Sequence, residues 1–427
     1  MIIHTTELKG ALGREAGLRG WLLSKQARGQ VAFLTLRDGE GRAQLVCERA
    51  VLGDEAFEAL KSLPLESPIR ATGLVLVPEG RAEPELAVRE LEAGPSAPDW
   101  PIGRKEHGPD FLMERRHLWI RAPRQAAILR VRSSLEFACV EFLHREGFHR
   151  FDAPLMTPTA CEGTTELFEL DYFGRPAYLS QSAQLYSEAG IAALERVYSL
   201  GPCFRAEKSV TRRHLTEFWG VEPEMAHVDA EGNMAFQERF IRAILAKVAE
   251  ERAEDLAFLG REPETLLFGP DSFPVLLYDE ALGRLSRLGR EAAWGEDLSV
   301  EDEEALAAGF STPFFVYKYP VRCRAFYIEP DPADPRLALS SDCLAPGLGE
   351  IITGGQRASG HDFLASRIVE HGLSLDDFAW YLDLRRYGSV THSGFGMGIE
   401  RMLRWILGLH HIREAIPFAR TPQRFAP

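Results

Sequence analysis

The stretch FRAEKSVTRRHLTEF, residues 204–218, carries most of the information about the fold of this chain. Arg205 and Glu207 are two residues apart, so on a strand they share one face. A polar, basic segment separates them from the apolar and acidic run Leu215–Met225. The pattern predicts a long antiparallel hairpin whose arginines face a polyanion and whose aromatic side chain faces a base.

A second cluster, GFGMGIER, occupies residues 394–401 and places three glycines at alternate positions before an arginine. Apolar residues at helical spacing follow it: Met402, Leu403, Ile406 and Leu407. The two arginine-bearing clusters, in this order and with a carboxylate-rich strand between them, resemble motifs 2 and 3 of the class II aminoacyl-tRNA synthetases. The resemblance extends from Gly20 to Pro427.

Composition and charge describe an ordinary globular protein with selective partners. The chain has 427 residues, of which 45% are hydrophobic and 26% charged, enough for two or three domains. Its formal net charge of −14 argues against nonspecific coating of nucleic acid, which depends on neutralising phosphates. A selective nucleic-acid partner needs a local basic patch, and residues 1–45 provide one.

The cysteines and the N-terminal sequence indicate a reducing compartment. Six scattered cysteines show no CxxC or Cys/His pairing, so neither a disulfide framework nor a zinc site is indicated. The start, MIIHTTELKG, lacks a basic segment followed by an apolar one, and no run approaches 18 apolar residues. We therefore expect a cytoplasmic protein without membrane contact.

The first 93 residues predict a five-stranded barrel of the OB type. Five short runs with β-type composition alternate with Gly-rich and charged turns: Gly17–Leu23, Val31–Leu36, Ala43–Cys47, Ile69–Val77 and Glu85–Leu91. Three prolines between positions 95 and 101 indicate a boundary. We expect an anticodon-binding domain at 1–93, a hinge at 94–118 and a catalytic domain at 119–427.

The remainder of the chain predicts an antiparallel sheet flanked by helices, so the overall class is α+β. Expected strands are Ala177–Leu179, Val197–Ala206, Phe218–Ala226, Phe314–Tyr317, Ala325–Ile328 and Gly349–Thr353, and expected helices are Met234–Leu259 and Asp362–Glu370. A helix at Ala126–Glu146, followed by a strand that ends at Pro154, resembles motif 1 of the family. That resemblance implies a homodimer formed through the region around Pro154.

The family resemblance implies a site for ATP and Mg²⁺. Arg205 is the expected catalytic clamp on the α-phosphate and Arg401 the expected partner of the γ-phosphate, while Phe218 occupies the position that stacks on adenine. The full expected ATP-binding set is Arg205, Glu207, Arg213, His214, Phe218, Glu350, Arg401 and Arg404. Asp342 and Glu350 resemble the carboxylates that hold magnesium, although the loop between them is one residue longer than in aspartyl enzymes.

Three further segments resemble the aspartyl and asparaginyl branch of the family. Glu162, in the CEGTTELF run at 161–168, and Gln184, in YLSQSAQLY at 178–186, are expected near the substrate ammonium. Arg357 is expected to meet the substrate side chain. Ser187 occupies the position of the lysine in the aspartyl pattern QSPQLYKQ, and Glu222 the position of an aspartate.

These two differences favour an amide substrate. Without the lysine, a substrate aspartate keeps one cationic partner, and a partly unpaired buried charge costs several kcal/mol in principle. The Glu222 carboxylate can accept a hydrogen bond from an asparagine NH₂ group while Arg357 donates to its carbonyl oxygen. The sequence therefore predicts asparagine as the amino acid.

The predicted barrel indicates the matching tRNA. Phe33 and Gln44, together with Arg28, fall at positions that in this family contact the anticodon, where Phe33 and Gln44 stack against and hydrogen-bond its middle uridine. Aspartate and asparagine anticodons share that uridine, so these residues identify the branch and not the amino acid.

The resulting hypothesis is a ligase that activates asparagine with ATP and transfers it to tRNA(Asn). Its alternatives are an aspartyl enzyme that charges both tRNAs, a tRNA-independent asparagine synthetase on the same fold, and a noncatalytic binding protein. Ser187 argues against the first, the barrel residues Phe33 and Gln44 against the second, and the set Arg205, Glu350 and Arg401 against the third.

Overall fold

The computed structural model describes residues 1–103, 105–161, 166–209 and 211–426. Its internal contacts divide the chain into two units, Met1–Ala126 and Ala127–Pro427. Among the helices that the structure describes, none is long and apolar enough to cross a membrane. The predicted domain limits and the cytoplasmic location remain predictions.

The first unit contains a closed five-stranded barrel, as the sequence predicted. Its strands are β1 (Glu15–Arg28), β2 (Val31–Arg37), β3 (Arg42–Glu48), β4 (Pro68–Leu76) and β5 (Glu85–Ala93), in the order β1-β2-β3-β5-β4. Its helices are α1 (Arg49–Leu52), α2 (Asp54–Ser62), α3 (Pro109–Glu114) and α4 (Arg116–Trp119). Sequence reasoning missed α2, which buries Phe57 and Leu60.

Strict alternation along β2 decides which side chains face outward. Ala32, Leu34 and Leu36 are buried in the barrel core, whereas Phe33 and Thr35 remain partly exposed on the outer face. Because side chains alternate along a strand, a shift of one residue in register would reverse the two faces. The pattern therefore fixes Phe33 on the outside of the barrel.

The second unit is built on an eight-stranded, mostly antiparallel sheet. Its strands and those of a small three-stranded sheet are β6 (His149–Arg150), β7 (Met156–Thr157), β8 (Glu169–Tyr172), β9 (Arg175–Leu179), β10 (Arg196–Phe204), β11 (Glu217–Ala226), β12 (Val275–Leu277), β13 (Phe314–Tyr317), β14 (Ser340–Ala345), β15 (Gly349–Gln356) and β16 (His392–Gly398). The large sheet has the order β12-β13-β14-β15-β16-β11-β10-β6. The predicted α+β class is confirmed.

Nine α-helices accompany these sheets in the described part of the chain. They are α5 (Pro123–Arg145), α6 (Gln184–Leu194), α7 (Ala230–Glu251), α8 (Ala253–Phe258), α9 (Tyr278–Arg287), α10 (Val300–Ala307), α11 (His361–Glu370), α12 (Ala379–Arg386) and α13 (Ile399–Leu407). Phe240, Ile244 and Val248 of α7 pack in one core with Val221 and Met397 of the sheet.

Two strand predictions need correction. Residues Ala325–Ile328 form no strand and contribute only an isolated bridge between Ile328 and Arg357. Strand β10 ends at Phe204, two residues before the predicted end at Ala206. Arg205 and Glu207 therefore lie in the connection of the β10–β11 hairpin, and the argument that placed both on one strand face was wrong.

A buried ion pair connects helix α5 to helix α13. Arg132 Nη1 donates to Glu400 Oε1 at 2.6 Å and to the carbonyl oxygen of Ala415 at 2.9 Å. Glu400 also accepts from the backbone N–H of Trp219, at the start of β11. Burial raises the pKa of Glu400, and the charge of Arg132 opposes that shift. The pair thus joins the helices expected to carry motifs 1 and 3.

Replacing Arg132 by Met should lower the free energy of unfolding by about 3–5 kcal/mol, because it leaves the Glu400 carboxylate buried without its partner. Arg145→Met is the matched control on the same helix, since its ion pair with Glu141 is exposed and should contribute less than about 1 kcal/mol. Urea unfolding of both variants checks this. Equal losses of unfolding free energy in the two variants would show that burial does not strengthen the contribution of Arg132.

Candidate active site

One cavity of about 720 Å³ lies in the second unit, over strands β10, β11, β15 and β16. It gathers most of the predicted site residues from four parts of the chain: α6, the β10–β11 hairpin, β15 with the residue after it, and α13. The predicted residues that line it are Gln184, Arg205, Glu207, Arg213, His214, Phe218, Glu222, Glu350, Arg357 and Arg401. Residues from both arginine-bearing clusters, 204–218 and 394–401, therefore meet at one site.

Three predicted residues of the second unit do not line the cavity. Ser187 is fully buried on α6 and is absent from the lining, as are Asp342 and Arg404 in the described part of the chain. The Arg404 side chain turns away to donate to the carbonyl oxygen of Leu409 at 3.1 Å. Glu162 lies outside the described residues.

Two of the alternating glycines of β16, Gly396 and Gly398, line the cavity, and Gly394 lies next to them on the same strand. A Cβ atom at Gly394 would overlap the carboxylate of Glu224, and one at Gly396 would approach Glu222. A Cβ at Gly398 would contact Phe218 at 4.0 Å. The absence of side chains on this strand therefore leaves room for the acidic side chains of neighbouring β11.

A buried bidentate ion pair lies at the end of the cavity that the sequence predicts to receive the amino acid. Arg357 Nε and Nη2 donate to the two oxygens of Glu224, each at 2.9 Å, and both side chains are buried. Burial raises the pKa of Glu224, while the positive charge of Arg357 opposes the shift. Sequence reasoning assigned no role to Glu224, although its position two residues after Glu222 on β11 places both on one face.

Glu222 is held by partners other than Arg357. It accepts from Ser182 Oγ at 2.6 Å, from the backbone N–H of Ala183 at 2.8 Å and from Ser199 Oγ at 3.3 Å. The sequence argument paired Glu222 with Arg357 across the substrate. Both line the cavity, but the direct partner of Arg357 in this structure is Glu224.

The other end of the cavity carries two ion pairs that suit phosphate binding. Arg401 pairs with Glu350, and Arg213 Nη2 donates to Glu303 Oε2 at 2.7 Å. The same oxygen of Glu303 accepts from the backbone N–H of Glu350 at 3.0 Å. Burial, followed by the negative charge of Glu350, raises the pKa of Glu303 to about 7, and Arg213 opposes the rise. Sequence reasoning missed Glu303, which is 90 residues from its arginine.

His214 lies among these arginines in its neutral form. Its Nδ1 atom is 3.2 Å from Ser209 Oγ and within hydrogen-bonding distance of Thr211 Oγ1. Burial lowers the pKa of His214, and the positive charges of Arg401 and Arg213 lower it further. His214 can therefore accept or donate a hydrogen bond at neutral pH without adding charge.

Asp342 lies behind the cavity, where it pairs with Arg324. The two side chains make contacts of 2.5 and 3.4 Å, and both are buried. Burial raises the pKa of Asp342 to about 6, and Arg324 opposes the rise. Both carboxylate oxygens accept from Arg324, so Arg324 would compete with a metal ion for Asp342.

The carboxylates at this end nevertheless have the chemistry that Mg²⁺ prefers. Glu350 and Asp297 line the cavity, Asp342 lies behind them, and all three offer hard oxygen ligands. Strand β15 carries a register shift beside Glu350: Cys343 faces Ile352, whereas Leu344 faces Glu350, so Ile351 is the extra residue. A bulge of this kind adds one residue to a strand without breaking the sheet.

The predicted anticodon residues lie in the first unit, on the outer face of the barrel. Phe33 on β2 and Gln44 on β3 are both partly exposed, and Gln44 is opposite Thr35 in the strand pairing. Gln44 Nε2 donates to Glu85 Oε2 at 3.0 Å, a partner that sequence reasoning did not foresee. Arg28 is exposed at the end of β1, so the three residues occupy neighbouring strands.

Comparison with protein families identifies both units. Residues 108–422 match the family model described as tRNA synthetases class II (D, K and N), and residues 17–93 match the model of an OB-fold nucleic acid binding domain. The chain belongs to the class II tRNA synthetases. The predictions of this family and of a ligase that forms aminoacyl-tRNA are therefore confirmed.

Individual relatives cover the whole length of this synthetase. It is 48% identical to the asparagine–tRNA ligase of Thermus thermophilus over 441 residues, covering 100% of both chains. It is also 48% identical to that of Pelotomaculum thermopropionicum over 422 residues, covering 97% of each. Asparaginyl-tRNA synthetase from Pyrococcus horikoshii, solved with asparaginyl-adenylate, superposes with a TM-score of 0.96 at 43% identity, covering 100% of this chain and 99% of that one.

Glu303 should make the stability of the protein depend on pH. Its pKa rises from 4.5 to about 7 on folding, so the folded protein keeps a proton that the unfolded chain releases. The resulting contribution to the unfolding free energy is complete below about pH 4.5 and is lost as the pH rises through about 7. Glu303→Gln should flatten this fall in urea unfolding between pH 5 and 8, whereas its exposed neighbour Glu304→Gln should not; identical slopes would contradict the assignment.

Proposed function

We propose that this synthetase activates asparagine with ATP, releasing pyrophosphate, and transfers the asparaginyl group from the adenylate to tRNA(Asn). The observation that carries the proposal is the amino-acid end of the cavity, where Arg357 is already neutralised by the buried carboxylate of Glu224 and Glu222 lies beside them. A neutral amide suits this environment better than a second carboxylate. The full-length relatives that bear the name asparagine–tRNA ligase support the same substrate.

Activation requires positioning and charge neutralisation rather than proton transfer. A carboxylate oxygen of asparagine attacks the α-phosphorus of ATP, a P–O bond forms, and the bond to the leaving pyrophosphate breaks. Arg205 would hold the α-phosphate through its forked guanidinium. Arg401 would break its ion pair with Glu350 and bind the terminal phosphate instead. Phe218, beside Gly398, would stack on the adenine ring.

Bound Mg²⁺ would neutralise part of the phosphate charge. Glu350, with Asp342 behind it, would hold the ion through carboxylate oxygens. Arg213 would then leave Glu303 and contact phosphate. Protonation of Glu303 would make this easier, because a neutral carboxyl group holds the arginine less strongly. Both arginines would therefore exchange their carboxylate partners for phosphate oxygens.

Amino-acid selection would use both acidic residues of β11. The side-chain amide of asparagine would donate through its NH₂ group to Glu222 and accept through its oxygen from Arg357. Gln184, which lines the same end, would contact the substrate ammonium. Glu162, predicted to join Gln184 near the substrate ammonium, lies outside the described residues.

The protein would act as a homodimer through the region around Pro154. Leu155 (46%) and Met156 (51%), directly after Pro154, are well exposed, and so is Phe137 (58%) on α5, the helix of the same predicted motif. Exposed apolar groups of this size are typical of a covered surface. A monomeric mass in sedimentation equilibrium at micromolar concentration would contradict the dimer.

ATP/pyrophosphate exchange with asparagine and aspartate in parallel tests the reaction and its substrate. Asparagine should support exchange far better than aspartate, and equal or faster exchange with aspartate would overturn the proposal. Arg205→Ala and Arg401→Ala should each lower exchange by several orders of magnitude while circular dichroism remains unchanged, because both contact phosphate charge in the transition state. Arg145→Met, with its exposed pair on α5, serves as the active control.

The barrel residues should affect only the step that uses tRNA. Phe33→Ala and Gln44→Ala should leave exchange without tRNA unchanged and reduce kcat/KM for tRNA roughly ten- to a hundredfold, since stacking of a base on an aromatic ring contributes about 1–3 kcal/mol. Aminoacylation of a tRNA(Asn) transcript measures the loss. A parallel fall in exchange would show that the barrel has another role.

A further inference from the structure

Glu188 is a buried carboxylate that the proposed mechanism does not use. It lies on α6, one turn after Gln184, and its side chain has no exposed surface. Its Oε1 atom accepts from Tyr381 Oη at 2.6 Å and from Gln184 Nε2 at 3.1 Å. Its Oε2 atom accepts from Arg385 Nη2 at 2.5 Å and from His392 Nε2 at 3.0 Å.

These partners connect Glu188 directly to the residues that read the amino acid. Gln184 lines the cavity, and the backbone carbonyl of His392 accepts from the backbone N–H of Arg357 at 2.9 Å. Arg385 Nε donates to the carbonyl of Ala358, the residue after Arg357, at 2.8 Å. Glu188 therefore anchors both a cavity-lining glutamine and the backbone on either side of the specificity arginine.

The cluster is an ion-pair network rather than a metal site. Ligand atoms of Glu188, Glu224 and His392 lie within 4.8 Å of one another, close enough to surround an ion. However, both oxygens of Glu224 accept from Arg357, and each oxygen of Glu188 accepts from two donors. A metal would have to displace two guanidinium groups from this buried position.

His392 is charged in this arrangement. Its Nδ1 atom lies 2.7 Å from the carbonyl oxygen of Val390 and its Nε2 atom 3.0 Å from Glu188, so both ring nitrogens face acceptors. Only the imidazolium form donates from both nitrogens. Burial alone would lower the pKa of His392, but the hydrogen bond and charge of Glu188, with the charge of Glu224, raise it above its ordinary value.

The charges around the substrate side chain therefore cancel. Arg357, Arg385 and protonated His392 supply three positive charges, and Glu188, Glu222 and Glu224 supply three negative ones. Burial would raise the pKa of Glu188, but Arg385 and His392 lower it below its ordinary value, so the residue remains ionised. A neutral amide enters this environment without upsetting the balance, whereas a carboxylate leaves an excess negative charge.

We propose that Glu188 is a positioning residue that determines the choice of asparagine over aspartate. Through Arg385, His392 and Gln184 it fixes the position of Arg357. Its negative charge also balances the nearby positive charges, so that none is left unpaired for a substrate carboxylate. The proposal rests on the proposed function and identifies which buried group enforces its substrate. The neighbouring residue Ser187 affects the choice only because it lacks the positive charge of the lysine in the aspartyl pattern.

The test measures the ratio of the Ki of L-aspartate to the KM of L-asparagine in ATP/pyrophosphate exchange at pH 6.5. Glu188→Gln removes one negative charge, so this ratio should fall about tenfold or more. His392→Gln removes one positive charge, so the ratio should rise. If the substitutions only loosened the site, the ratio would change in the same direction in both variants. A charge effect changes the ratio in opposite directions.

The double variant Glu188→Gln with Arg385→Gln restores neutrality and should recover most of the selectivity lost in Glu188→Gln. Asp255→Asn is the matched control, because it removes a carboxylate from a largely buried pair with Arg130 away from the cavity lining. It should lower stability in urea unfolding and leave the ratio unchanged.

An unchanged ratio in folded Glu188→Gln, or a fall in both single variants, would overturn the role of Glu188. If Glu188→Gln does not fold, His392→Gln decides alone, and a ratio that fails to rise contradicts the proposal. Wild-type protein that prefers aspartate would instead overturn the proposed function. The two failures are therefore separable.

Discussion

The ion pair between Arg357 and Glu224 is the interaction on which the site depends, because it fixes where an uncharged substrate can sit. Its two 2.9 Å contacts are fully buried, and the Glu224 carboxylate lies over Gly394, where any side chain would overlap it. Truncating one member of such a pair leaves the other as an uncompensated buried charge. The glycine on β16, the acidic residue on β11 and the arginine after β15 are therefore one unit spread over 171 residues of sequence, residues 224–394. The sheet order β15-β16-β11 makes these positions neighbours.

The rest of the cavity follows the same rule of charge compensation. Arg401 is paired with Glu350, Arg213 with Glu303 and Arg324 with Asp342. In the proposed function, these carboxylates would hold the arginines in place before ATP binds. Phosphate oxygens would then replace carboxylate oxygens as partners, so binding would exchange one set of charge-assisted hydrogen bonds for another. The raised pKa of Glu303 makes that exchange easier, since a protonated carboxyl holds its arginine less strongly.

Sequence reasoning recovered the two motif clusters and the barrel because their signals are local: alternating glycines, an arginine beside an aromatic residue, and β-type runs between turns. It placed the end of β10 two residues too late, since nothing in the sequence at Phe204 marks where pairing with Glu217 stops. It also missed Glu188, Glu224 and Glu303. Each is defined by a partner 90 or more residues away, such as Arg385 for Glu188, and only the folded sheet brings those partners together. The register shift at Ile351, directly after Glu350, also had no signal in the sequence.

The adjacent positions Ser187 and Glu188 show why a local substitution pattern needs the structure for its meaning. Relative to the QSPQLYKQ pattern of aspartyl enzymes, this chain loses a positive charge at 187 and gains a negative charge at 188. The sequence argument weighed only the first change and treated Ser187 as a contact residue. In the structure Ser187 is fully buried outside the cavity lining, whereas Glu188 joins the side chains of Gln184, Tyr381, Arg385 and His392. The two changes act in the same electrostatic direction, and the second one adds a negative charge that is fully buried, where screening by solvent is weak.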